Sequence, residues 1–122
     1  MSTGEAGAAT DAARFGAKGV NGTLLVLPDR ILIKRRSVLL RLLGHGYLPE
    51  KEIGLDEIAG IRFKTATGFV NGFIQLTLAG EQARTGGGLE AAQDPNAVMF
   101  KLKQQPAFEQ AKAIIERRRR ER

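Results

Sequence analysis

The chain has 122 residues and a formal net charge of +6, with one His, no Cys and no Trp. That length supports one domain burying roughly 65% of its unfolded surface, and an apolar share of 43% against 26% charged supports a folded core. Without cysteine there is no disulfide scaffold and no thiolate chemistry, and a single His excludes a cluster of imidazole ligands, so only carboxylate-built metal sites stay open.

Residues 1–16 are rich in Gly, Ala, Ser and Thr without a sustained apolar period, which predicts a flexible arm with Phe15 as its one large apolar residue, able to dock on the body. From Val20 the pattern is that of β structure. Thr23–Leu27 and Arg30–Arg35 are two short runs around Pro28-Asp29, the signature of an antiparallel hairpin. Ser37–Leu43 holds five large aliphatics in seven residues, and period alone does not separate a strand from a helical turn and a half. Tyr47–Ile53 reads as a strand, and Pro49 suits an edge position because it donates no ladder bond. Leu55–Ile58 is a short link. Gly60–Thr65 alternates, with Ile61 and Phe63 on one face and Arg62 and Lys64 on the other, and Gly72–Leu78 alternates with Ile74, Leu76 and Leu78 inward.

Ala79–Asn96 is expected to be a long polar loop, with Gly86-Gly87-Gly88 at its floppy centre. Ala97–Lys103 is the last predicted strand, with Val98, Phe100 and Leu102 inward. The period then changes. Gln105-Pro106 opens a helix, Pro sitting where its missing N–H is harmless, and Phe108, Ala111 and Ile115 form its apolar stripe, widened by Ile114. The expected fold is therefore mainly β with one C-terminal helix: six or seven antiparallel strands in a barrel or sandwich, capped by the helix.

These residues resemble a bacterial pleckstrin-homology-like (PH-like) domain of an uncharacterised family. The resemblance rests on Gly22-Thr23-Leu24, Asp29-Arg30-Ile31, Leu55–Ile61, Asn71-Gly72-Phe73-Ile74-Gln75 and Asp94–Phe100, and covers about residues 17–117. It implies a bent β-barrel closed by the helix, and a binding or assembly module with no cofactor. Some relatives in this superfold form ring-shaped homo-oligomers. The expected organisation is an arm over residues 1–16, the PH-like domain over 17–117 and a basic tail over 118–122.

Asp56-Glu57 offers adjacent carboxylates, which diverge on a strand or turn, so a capped surface turn accounts for them. His45 stands between two glycines without a partnered nucleophile and reads as a plain loop residue. The glycine triplet lacks the following Lys and Ser or Thr of a phosphate loop. No catalytic or metal residues are assigned, and the protein is expected not to be an enzyme.

Three surfaces carry the binding expectations. The apolar residues Val38, Leu39, Leu40, Leu42 and Leu43 form the expected partner surface, for a second copy of the chain or another protein, because a small core hardly accommodates both faces of that segment; the alternative is that three of the five pack inside and two are incidental. Lys34, Arg35, Arg36 and Arg41 surround it and are the expected anionic-ligand residues if the same loop meets acidic membrane lipid. The tail Arg117–Arg122 carries a net +4 of the total and is the third candidate, for non-specific nucleic-acid binding. It lacks aromatic residues for base stacking, and a frayed, solubilising helix end is the favoured account of it. No apolar run reaches the roughly 20 residues of a membrane span, and the first 18 residues lack a basic start followed by an apolar block. The expected location is the cytoplasm, with peripheral membrane contact under the lipid reading.

Overall fold

The computed structural model describes residues 14–35, 51–82 and 85–121. Among the described residues, seven strands make two antiparallel sheets. The first holds β1 (Phe15–Lys18), β2 (Gly22–Val26), β3 (Arg30–Arg35) and β4 (Lys51–Gly54), in that spatial order; the second holds β5 (Ile58–Lys64), β6 (Gly72–Leu78) and β7 (Ala97–Phe100). Among the described residues, helix α1 (Gly88–Gln93) lies between β6 and β7, and helix α2 (Gln105–Arg120) comes after β7.

The pleat explains the first sheet. Leu24 and Val26 of β2, Ile31 and Ile33 of β3, and Ile53 of β4 are fully buried, while the residues between them are half-buried or exposed. The predicted hairpin forms with Leu24 opposite Ile33 and Val26 opposite Ile31. Its turn is closed by the Leu27 N–H donating to the Arg30 carbonyl at 2.8 Å. Phe15 does dock: it lies opposite Val26 in β1 and packs on the core. Strand β4 is an edge strand.

The mainly β architecture with a C-terminal helix is as expected, but the sheets do not close into a barrel. Between β4 and β5 the chain turns through a 3₁₀ turn, Leu55–Glu57, and passes from one sheet to the other. Helix α2 fills the gap between them. Phe108, Ala111 and Ile115 are wholly buried in the core shared by both sheets. The rings of Phe100 and Phe108 stack with centroids 4.7 Å apart, and Phe63 lies 5.3 Å from Phe100. Pro106 occupies the first turn of α2, as predicted. The helix runs regularly to Arg120 rather than fraying: Arg118 Nη1 donates to the Leu27 carbonyl at 2.7 Å and Arg119 Nη2 to the Ile58 carbonyl at 3.0 Å. One helix end thus ties the β2–β3 turn to the start of β5.

Two further corrections concern residues 79–104. The stretch expected as a polar loop contains α1, whose Ala91 is wholly buried against Phe73 and Ala97, with Met99 beside them. Strand β6 is consequently buried on both faces, apart from its half-buried last residue. Alternation in the β6 sequence identified the inner face, but the outer residues Phe73, Gln75 and Thr77 are covered as well. At the end of β7 the chain leaves the sheet after Phe100 into a second 3₁₀ turn, Leu102–Gln104, so Leu102 is half-exposed rather than inward. The Gln104 side chain accepts from the Lys101 N–H at 2.9 Å and stabilises that departure.

Gly72, at the start of β6, shows why a side chain is absent there. A Cβ would run into the Lys64 carbonyl on the neighbouring strand and the Phe100 ring.

Candidate functional site

The most connected polar cluster lies under α1, on the outer face of the second sheet. Gln75 of β6 is fully buried, and its two amide ends are both used. Its Nε2 donates to Asp94 Oδ2 at 2.7 Å, and its Oε1 accepts from Arg62 Nη1 at 2.7 Å. Asp94, 5% exposed, uses its other oxygen, Oδ1, to accept from the Asn96 N–H at 2.9 Å. This is the Asx turn that Asp-Pro-Asn chemistry favours. Arg62 also donates from Nη2 to the Gly86 carbonyl at 2.6 Å and lies 5.2 Å from the centre of the Phe73 ring.

Arg35, at the end of β3, joins this cluster from the other sheet. Its Nη1 and Nη2 donate to the carbonyls of Asp94 at 2.6 Å and Ala92 at 2.8 Å. A guanidinium on the last carbonyls of a helix satisfies groups that the helix leaves open. Burial pulls the Arg35 pKa below its ordinary value, and the nearby Asp94 carboxylate opposes that shift. Both carboxylate oxygens and four guanidinium nitrogens of the cluster are spent on intramolecular bonds. Its chemistry is that of a clamp fastening α1 to the sheet.

The residues expected to bind anions are therefore not equivalent. Lys34 is exposed, but Arg35 is committed to the clamp. Arg36 and Arg41 lie outside the described residues, as do Val38, Leu39, Leu40, Leu42, Leu43 and His45. The Asp56-Glu57 pair behaves as a capped turn, with Glu57 Oε1 accepting from the Gly54 N–H at 3.0 Å. Beside it, the exposed Arg30 pairs with Asp29 and Glu52, which raise its pKa further. In the tail, Arg118 and Arg119 are held against the body, and Arg117 and Arg120 face solvent. Among the described residues, no group of three or more His, Asp or Glu is placed to hold a metal ion, and no helix is long and apolar enough to cross a membrane.

One surface had no counterpart in the sequence reading. The loop between β5 and β6 projects Phe69 entirely into solvent, and Val70 and Leu102 beside it are each half-exposed. The signal was local: an apolar pair, Phe69-Val70, inside the turn-forming frame of Gly68 and Asn71-Gly72, where no core-facing strand is possible.

The model of the family described as Domain of unknown function (DUF4429) matches residues 29–116. The chain belongs to that family. The match spans β3 to most of α2, including the clamp and the exposed loop. No curated protein and no solved structure matches the chain.

Proposed function

We propose that this member of a family of unknown function is a non-enzymatic, PH-like binding and assembly module of bacterial type that self-associates through Val38–Leu43. The four-plus-three strand order followed by a C-terminal helix supports the PH-like reading. The observation that carries the assembly reading is the Arg35 clamp. The apolar segment starts three residues beyond Arg35, whose guanidinium is fixed to α1 and the Asp94 turn. A clamped base reduces the entropy lost when the segment docks, which favours its use as a contact. The same commitment of Arg35 weakens the anionic-ligand reading of that loop, and the anchoring of Arg118 and Arg119 weakens nucleic-acid binding through the tail.

Light scattering after size exclusion, at two protein concentrations, tests this reading. A mass of several protomers is expected, falling to one protomer of 13.2 kDa on Leu40→Asp or Leu43→Asp. A monomer at both concentrations in the unaltered chain refutes it.

A further inference from the structure

The β5–β6 loop and the 3₁₀ turn after β7 meet at one edge of the molecule. Thr67, Phe69, Lys101, Leu102 and Lys103 line one open cleft of about 380 Å³. Phe69 is wholly exposed and Val70 and Leu102 are each 50% exposed, so three large apolar side chains share this edge. The charged residues lining the cleft are both lysines, and Lys64 stands exposed where the loop leaves β5.

The loop is also built to lose water cheaply. The Thr67 N–H donates to the Val70 carbonyl at 2.8 Å. The N–H groups of Phe69 and Val70 both donate to Thr67 Oγ1, at 3.1 and 2.9 Å. The tip therefore satisfies its own backbone donors, and burying it leaves none of these three unpaired. Gln105 at the head of α2 fixes the base of the loop by accepting from the Ala66 N–H at 2.7 Å.

We infer that this edge is a peripheral binding site for an anionic lipid bilayer. Phe69, with Val70 and Leu102, enters the boundary between headgroups and acyl chains, and Lys64, Lys101 and Lys103 meet lipid phosphates. Charge selects this occupant. A second copy docked face to face would bring the same lysines against each other, a like-charge contact that disfavours association. The inference is independent of self-association through Val38–Leu43, and each stands or falls by its own experiment.

The test is vesicle co-sedimentation of the full chain with phosphatidylcholine alone and with 3:1 phosphatidylcholine–phosphatidylglycerol. The expected result is binding to the anionic vesicles that weakens as salt rises from 50 to 300 mM. Phe69→Ser is expected to lower partitioning about tenfold or more, the scale of losing one buried aromatic side chain. Lys101→Glu and Lys103→Glu are each expected to lower it about fivefold or more, the scale of one lost cation at the surface. Because the Phe69 ring is wholly exposed, Phe69→Ser should melt like the unaltered chain. The chain has no Trp, so Phe69→Trp gives a clean reporter whose emission should shift to the blue with anionic vesicles.

Three results overturn the inference. The first is equal binding to neutral and anionic vesicles, or to neither. The second is binding unaffected by Phe69→Ser but lost in Lys34→Glu with Arg120→Glu, which would place the contact elsewhere. The third is a concentration-dependent mass abolished by Phe69→Ser, which would make the edge a contact between copies.

Discussion

Replacing Gln75 by Leu probes the clamp at its centre. The substitution keeps the size of a fully buried side chain but deletes two hydrogen bonds, each 2.7 Å long and each to a charged partner. Hydrogen bonds to charged groups contribute about 1.5–3 kcal/mol each, and a buried acceptor left unpaired costs its desolvation as well. Some of that loss is recovered by the apolar surface that Leu buries. The expected net destabilisation is about 3 kcal/mol, a large part of the roughly 5–15 kcal/mol available to a domain of this kind. With a urea slope of about 1.5 kcal/mol/M, the unfolding midpoint should fall by about 2 M. Urea melts of Gln75→Leu, Asp94→Ala and the double variant, followed by circular dichroism, close a thermodynamic cycle. Since Asp94→Ala already removes one Gln75 bond, the double variant should be more stable than the sum of the singles implies, by about 1 kcal/mol or more. A Gln75→Leu cost below about 1 kcal/mol, or strict additivity in the cycle, would refute the clamp as a source of stability.

Two further perturbations test the packing. Phe100→Ala removes the ring that stacks on Phe108 and lies tilted against Phe63, and should cost about 3–5 kcal/mol in thermal or urea melts; a cost under about 1.5 kcal/mol would show that the two aromatic neighbours collapse into the space. Gly72→Ala and Gly60→Ala form a contrasting pair in paired strands. The first pushes a methyl into the Lys64 carbonyl and the Phe100 ring and should destabilise by about 1–3 kcal/mol, whereas the second meets nothing within 4 Å and should be neutral or gain up to about 1 kcal/mol. Equal effects at the two positions would contradict the close approach at Gly72.

The sequence alone determined most of the strands after β1, and the inner faces of β6 and β7. Ile74, Leu76, Val98 and Phe100 are buried as alternation predicts, because a pleated backbone imposes a period of two that a single reading frame reveals. Phe108, Ala111 and Ile115 were legible for the same reason at the helical period. The Asp94 turn was legible because Asn, Asp and Pro carry their conformational preferences with them.

What neighbouring elements do to those strands is settled only in three dimensions. Period reports which face is apolar, and it does not report that a second layer covers the other one. Gln75 and Thr77 looked solvent-facing until α1, hidden in a glycine-rich stretch too short to show a helical period, lay over them. Arg35 is one of four basic residues expected to meet an anion, but its role depends on helix-end carbonyls almost 60 residues away. Leu102 continued an apolar alternation that the backbone abandons at Lys101. Phe69, an ordinary aromatic in composition, stands in water because its loop satisfies its own donors and finds no core to enter. Local preference is carried by each residue and its near neighbours; burial of polar groups and exposure of apolar ones are decided by contacts between distant segments.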